Sequence, residues 1–149
     1  MRKLTALLFC LLCALPAFGK DYGNVTLSRT DITEVYDGDT IYLNKPEWPA
    51  VMGDHIGVRL YGLDTPERHS HCDLGTEKNH EEALAMKARL NLQGRLDKAS
   101  SIELREVQRD KYFRLLAKLY INGVDAAEEL ITEGLAVPYH GEKKKGWCQ

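Results

Sequence analysis

A single long helical repeat, set between two groups of strand-like segments, is the feature that most constrains the fold of this chain. Leu84, Ala88 and Leu92 recur at four-residue spacing, which is typical of one face of an α-helix. Thr76 is a candidate cap for the start of this helix, and Gly94 is a candidate stop. Because an apolar helix face must be covered, we expect it to pack on a sheet and predict an α+β domain.

Strand-like segments lie on both sides of the helix. Residues 24–43 alternate apolar and polar positions around an Asp-Gly turn signal, which predicts two strands, and residues 57–63 predict a third. Residues 102–107 and 113–121 predict two more, and a short helix capped by Asp125 follows an Asn-Gly turn. Five strands with the long helix between the third and fourth are typical of an oligonucleotide-binding (OB) barrel with flanking helices.

The first 19 residues have the pattern of a secretory signal peptide. A short basic start is followed by an apolar run over residues 4–15 and by small residues at positions 17 and 19, which predicts cleavage before Lys20. The run is too short to cross a bilayer, which takes about 20 residues. We therefore expect an exported protein, periplasmic or extracellular, with one domain over residues 20–149 and no stable membrane association.

The cysteines fit an exported chain. Removing the leader removes Cys10 and Cys13 and leaves Cys72 and Cys148. In an oxidising compartment we expect these two to form a disulfide. It would close a long loop and contribute about 4 kcal/mol on the chain-entropy model. Two free thiols are the alternative.

The net charge of the chain is not that of a protein that holds nucleic acid by overall basicity. It is −2, and loss of Arg2 and Lys3 with the leader makes the domain more acidic. Nucleic-acid binding would therefore need a local basic patch. The candidates are Arg105, Arg109, Lys111, Arg114 and the lysine run at 143–145. The lysine run is equally consistent with a solvated tail.

Three carboxylates are candidates for metal and base chemistry. Asp39 follows the Asp-Gly turn, and Asp64 ends the third predicted strand, so only the fold can bring the two together. Two carboxylates and a backbone carbonyl suit calcium or magnesium. An EF-hand is excluded because its later ligands are missing. Glu67 follows Pro66 on a stiffened bend close to Asp64, where it could orient or deprotonate a water.

Two arginines lie within otherwise apolar predicted strands. Arg59 stands between Val58 and Leu60, and Arg114 stands between Phe113 and Leu115. A guanidinium group in such a place needs an anionic partner, and its planar fork suits two phosphate oxygens. Salt bridges to nearby acids such as Asp37 or Glu67 are the structural alternative, and an arginine could hold a carboxylate until substrate arrives.

These segments, in this order, resemble the staphylococcal nuclease (thermonuclease) family over roughly residues 31–139. The shared motifs are Tyr-Asp-Gly-Asp-Thr at 36–40, Arg-Leu-Tyr-Gly-Leu-Asp-Thr-Pro-Glu at 59–67, Asp-Lys-Tyr-Phe-Arg at 110–114 and a closing Asn-Gly-Val to Gly-Leu-Ala segment from 122 to 136. The resemblance implies a calcium-dependent nuclease on a five-stranded OB barrel that hydrolyses DNA and RNA and leaves 3′-phosphate ends.

The resemblance also assigns roles. Asp39, Asp64 and the carbonyl of Thr65 would hold Ca²⁺, with Asp37 in the outer shell of the metal. Glu67 would act on the water, and the remaining matched residues would bind phosphate: Arg59 and Arg114 at the reacting group, Lys111 and Tyr112 at a neighbouring terminal group. We expect a monomer acting on single-stranded or frayed nucleic acid. Phe113 departs from the family, where a glycine is usual.

Other readings remain open. Family members that have lost ligands serve as binding modules, so a non-catalytic nucleic-acid or protein binding domain is the main alternative. A secreted metal-binding protein with no nucleic-acid role is a third hypothesis. His69, His71, Cys72 and His80 lie near Glu67 and could bind zinc, although their spacing fits no established zinc motif. Exposed histidines beside a disulfide cysteine are the simpler interpretation.

Overall fold

The computed structural model describes residues 22–148. The predicted leader, its cleavage site, Cys10 and Cys13 lie outside the described residues. Among the helices that are described, none has the length and apolar character needed to cross a membrane.

The described residues form short strands and three α-helices, with a 3₁₀ turn at Arg29–Asp31. In chain order they are β1 (Val25–Leu27), β2 (Ile32–Val35), β3 (Thr40–Leu43), α1 (Ala50–Gly53), β4 (Ile56–Leu60), β5 (Gly62–Asp64), α2 (Gly75–Asp97), β6 (Ile102–Arg109), β7 (Leu115–Ile121), β8 (Val124–Asp125), α3 (Ala126–Thr132) and β9 (Val137–Tyr139).

The main sheet has the order β1-β6-β7-β4-β3-β2, with β8 beside β7. Its pairs are antiparallel except β4 with β7, which run parallel. The sheet curls into a half-barrel, and the helices complete an α+β architecture of the OB type, as predicted. Its interior is filled by the apolar side chains of the strands together with one face of α2 and α3.

The predicted strands are more divided than expected. The hairpin around the Asp-Gly turn is present as β2 and β3, but β1 is a separate strand that pairs with β6. The third predicted strand is broken in two. Gly62 has a φ of +95°, which turns the chain out of the main sheet, and β5 pairs instead with β9. The break gives Asp64 a strand end of its own.

Helix α2 extends beyond both predicted limits. Leu74 occupies the N-cap position without a side-chain cap, so Thr76 does not cap the helix, and Gly94 lies inside it. A glycine inside a helix costs about 1 kcal/mol relative to alanine. Leu92 and Leu96 are fully buried, and their burial on either side of Gly94 outweighs that cost because each contributes about 2 kcal/mol.

Candidate active site

The three sequence motifs meet around one cavity of about 640 Å³. The turn after β2, the strand β4, the segment after β5 and the loop before β7 each contribute to its wall. Residues of the C-terminal tail close one side. The lining includes Asp37, Asp39, Arg59, Glu67, Asp110, Lys111, Tyr112, Arg114, Tyr139 and Lys144.

Arg59 joins the two aspartates that the sequence separates by a long stretch. Thr40 pairs with Arg59 in the β3–β4 ladder, so Asp39, which precedes β3, lies beside the arginine. One terminal nitrogen of Arg59 forms an ion pair with Asp39 Oδ1, and the other lies 3.2 Å from Asp64 Oδ1. Both aspartates are only 3% exposed. Arg59 therefore holds the carboxylates of Asp39 and Asp64 on either side of one guanidinium group.

Hydrogen bonds and close packing fix the Asp37-Gly38 turn beside Asp39. The backbone N–H of Asp39 donates to Asp37 Oδ1 at 3.0 Å, and the N–H of Thr65 donates to Asp39 Oδ2 at 3.1 Å. A Cβ at Gly38 would lie 2.7 Å from Thr65 Cγ2 and 2.8 Å from Ala88 Cβ. Only glycine fits there, and Thr65 is thereby fixed next to Asp39.

Burial shifts the protonation of this cluster. Desolvation raises the pKa of Asp37 to about 6, against the opposing effect of Arg59 and with a further contribution from Glu67. Burial lowers the pKa of Arg59, while Asp64 and Asp37 oppose that shift and Arg114 adds to it. Both arginines line the same cavity.

Arg114 lies immediately before β7 and not inside a strand, which corrects the sequence-based placement. Its Nε lies 2.8 Å from Asp110 Oδ2, and a Cβ at Gly57 would lie 3.2 Å from its Cγ. The bare backbone of β4 therefore leaves space for the arginine stem. Asp110 also accepts the backbone N–H groups of Tyr112 at 2.7 Å and of Arg114 at 3.0 Å.

Asp110 organises the loop that carries the other predicted phosphate ligands. Burial alone would raise the pKa of Asp110, but its hydrogen bonds with Arg114 and Tyr112 outweigh burial and lower it. Lys111 and Tyr112 lie at the rim of the cavity, where Tyr112 is 67% exposed and Lys111 Nζ is 5.0 Å from its ring. The loop presents an aromatic ring and positive charges side by side.

Glu67 forms an ion pair with Lys144, a residue to which the sequence analysis assigned no definite role. Lys144 Nζ lies 2.7 Å from Glu67 Oε1 and 2.8 Å from Asp64 Oδ1. The sequence left two interpretations of the lysine run at 143–145, a substrate contact or a solvated tail, and one of its members reaches the centre of the site.

The disulfide that was predicted between Cys72 and Cys148 is present, with a Cα–Cα distance of 5.5 Å.

Glu81 on α2 is a second residue that the motifs missed. Its Oε1 accepts the backbone N–H of Glu67 at 3.1 Å, and its Oε2 accepts the hydroxyl of Ser70. It is 4% exposed. Glu81 lies four residues before Ala85 and seven before Ala88, so an acid on the buried helix stripe was the available signal.

The acidic cluster suits a hard divalent cation in its chemistry. Asp39 and Asp64 offer carboxylate oxygens beside the Thr65 backbone, which is the ligand type that calcium prefers. Arg59 bridges Asp39 and Asp64, and Lys144 bridges Asp64 and Glu67. Consistent with that, Asp39, Asp64 and Glu67 do not converge directly on one point: within residues 22–148, the single such group of three potential ligands is Cys72, Glu77 and Cys148.

The zinc alternative receives no support from the described residues. His69, His71 and His80 are exposed, and none of them belongs to a converging group of ligands within residues 22–148. The sulfurs of Cys72 and Cys148 are bonded to each other, so neither is the thiolate that zinc requires.

Comparison with known families agrees with the geometry. The family model described as staphylococcal nuclease homologue matches residues 57–147, more than half of the chain. That range includes Arg59, Asp64, Glu67, Arg114 and Lys144, whereas Asp39 precedes it. No curated protein matches the chain closely enough to count as a relative. The chain belongs to the staphylococcal nuclease family.

Proposed function

We propose that this protein is an exported, calcium-dependent nuclease that hydrolyses phosphodiester bonds of DNA and RNA. The observation that carries the proposal is the bridge from Arg59 to Asp39 and Asp64 in a cavity that also holds Glu67 and Arg114. Carboxylates for a cation, a further carboxylate for a water, and two guanidinium groups for a phosphate are what phosphodiester hydrolysis requires.

Asp39, Asp64 and the carbonyl of Thr65 would hold the calcium ion. When bound, the ion would supply positive charge that offsets the charge added to the phosphate as the water attacks. It would also replace Arg59 as a partner of the two aspartates. Arg59 would then be released to donate to phosphate oxygens, a shift that needs only a local change of side-chain partner.

The remaining residues have roles that follow from their positions. Arg114 would exchange Asp110 for a phosphate oxygen, since both are anionic acceptors for the same fork. Glu67 would orient the attacking water and take its proton, and an in-line attack with loss of the 5′ oxygen would leave a 3′-phosphate. Lys111 and Tyr112 would contact a neighbouring phosphate. The exposed ring of Tyr112 at the rim of the cavity offers a face on which an unpaired base could stack, which favours single-stranded or frayed substrates.

The experiment is digestion of an end-labelled single-stranded oligonucleotide with calcium or with a chelator. We expect cleavage only with calcium and products that carry 3′-phosphates. Glu67→Gln and Arg114→Ala should each slow cleavage by about 10²-fold or more while the fold remains intact. Glu47→Gln and Arg29→Ala are matched controls, because Glu47 is highly exposed and Arg29 pairs with Asp97 away from the cavity.

A different outcome would favour the alternative function. Oligonucleotide binding that weakens with salt, but without calcium-dependent cleavage, would make the chain a binding module. Calcium binding without any affinity for oligonucleotides would make it a metal-binding protein. Asp39, Arg59, Glu67 and Arg114 line one cavity, and Asp64 is joined to it through Arg59, which supports the enzyme over both.

Export and oligomeric state also belong to the proposal. The Cys72–Cys148 disulfide is the kind of bond that persists outside the reducing cytosol. Intact-mass analysis of the protein from a periplasmic or culture-medium fraction should show a chain that begins at Lys20. Light scattering should give the mass of a monomer. A full-length chain retained in the cytoplasm would contradict the export proposal.

A further inference from the structure

We infer that Lys144 is a positioning residue that supplies positive charge between Asp64 and Glu67 and competes with a divalent cation for Asp64. The inference rests on the proposed calcium site, because it concerns the exchange of one cation for another. It concerns a tail residue to which the family motifs quoted above give no role.

The contacts of Lys144 are those of a bridging cation. Its Nζ lies 2.8 Å from Asp64 Oδ1 and 2.7 Å from Glu67 Oε1, so one ammonium group bridges two carboxylates. Asp64 is almost fully buried, whereas the side chain of Lys144 is 44% exposed. Burial acts to lower the pKa of Lys144, but its bonds to Asp64 and Glu67 outweigh burial and raise it.

The tail holds this lysine in place from both sides. Upstream, β9 pairs with β5, with Tyr139 opposite Gly62. Downstream, Cys148 is bonded to the buried Cys72. Lys144 lies between these two attachments, which keeps its ammonium group at a high effective concentration beside Asp64. The disulfide therefore acts on the site through the position of one lysine.

The tail attachment also reaches the loop of Glu67. The backbone N–H of Cys72 donates to Ser70 Oγ at 3.0 Å, and the Ser70 hydroxyl donates to Glu81. Glu81 in turn accepts the backbone N–H of Glu67 at 3.1 Å. The residues around the Cys72–Cys148 disulfide thus hold both Glu67 and Lys144 in place. Their ion pair is therefore supported by the fold and is not a contact of a freely solvated tail.

Calcium and Lys144 cannot share Asp64 Oδ1 without repulsion. Calcium binds carboxylate oxygens at about 2.4 Å, and the Lys144 nitrogen lies at a similar separation from the same oxygen. Like charges so close repel strongly. Calcium entry therefore requires Lys144 to leave Asp64. The free energy needed to break that contact makes the free energy of calcium binding less favourable.

The test is isothermal titration of calcium into the purified protein without nucleic acid. Lys144→Met should bind calcium about five-fold more tightly than the wild type, as expected for loss of a competing, partly exposed ion pair. Lys143→Met is the matched control, since it removes the same charge from the neighbouring exposed position. Its affinity should stay within about two-fold of the wild type because salt screens exposed charges.

The outcomes separate this inference from the proposed function. Failure of every variant to bind calcium would reject the calcium site itself. If the wild type binds calcium but Lys144→Met binds it no more tightly than Lys143→Met does, the role of Lys144 is rejected and the calcium site is not. Cys148→Ser, checked for a folded thermal transition, should tighten calcium binding by less than Lys144→Met does. No tightening in that folded variant would reject the tether.

Discussion

One half of the candidate site is built on strands, and the other half is built on loops and the tail. Asp39, Arg59 and Asp64 lie on or beside β3, β4 and β5, and their side chains are at most 13% exposed. Glu67 and Lys144 lie outside strands, with side chains 41% and 44% exposed. Rigid, buried carboxylates suit a fixed cation, whereas exposed groups suit a substrate that must enter and leave.

The difference predicts that changes in the two halves will have different signatures. Variants of the strand-built half should alter stability and calcium affinity together, because its charges are buried against one another. Variants of Glu67 and of the residues that position it should alter cleavage with less effect on calcium binding. Lys144 is the exception in this half, because it contacts Asp64 directly. Each of the following measurements tests that separation.

Arg59→Met should have the largest effect. It leaves Asp39 and Asp64 buried without their shared cation, and removing one partner of a buried ion pair costs about 3–5 kcal/mol. We expect that loss in the free energy of urea unfolding without calcium, and a partial recovery when calcium is added. Cleavage should also fall, since the variant lacks the arginine that we propose as a phosphate ligand. Equal stability of variant and wild type would contradict the buried bridge.

Gly38→Ala should be the next largest. The new methyl would meet Thr65 and Ala88 at less than 3 Å, and such overpacking costs about 1–3 kcal/mol. Gly94→Ala is the matched control, because nothing lies within 4 Å of a Cβ there and alanine should raise helix stability by up to about 1 kcal/mol. Thermal denaturation should therefore shift in opposite directions. A shift in the same direction would remove the packing argument for Thr65.

Glu81→Gln should affect the loop-built half selectively. Glutamine has one acceptor oxygen where Glu81 has two, and its NH₂ group can only donate. One of the two bonds that Glu81 accepts, from the Glu67 N–H and from the Ser70 hydroxyl, is therefore lost at a cost of about 1–2 kcal/mol. We expect kcat to fall, because Glu67 is less well positioned, while the calcium Kd stays close to that of the wild type. Glu82→Gln, the neighbouring acid on α2, is the control. A calcium affinity that falls as far as kcat would show that the two halves act as one.

The same division explains what the sequence could and could not predict. Asp39, Arg59 and Asp64 are fixed by strand register and by short local turns, and the resemblance of their motifs to the family was the basis for expecting them in one site. Glu81 and Lys144 act through long-range packing: one depends on where α2 lies against the Glu67 loop, and the other on the path of the tail. Gly94 shows the same limit, since burial of Leu96 continues a helix that local propensity would end.

Phe113→Gly should have the smallest effect on the free energy of unfolding. It should raise that free energy, whereas Arg59→Met and Gly38→Ala should lower it. Phe113 has a φ of +63°, where a side chain costs about 1 kcal/mol, and its ring is exposed with the Arg109 guanidinium 4.3 Å from its centre. Relief of that strain should exceed the added flexibility of the unfolded chain and raise unfolding stability by about 0.5 kcal/mol. Phe113→Leu retains the Cβ and should give no such gain. Because this strain lies in the loop before Arg114, the calcium Kd should not change, and a change would mean that the loop is coupled to the strand-built half.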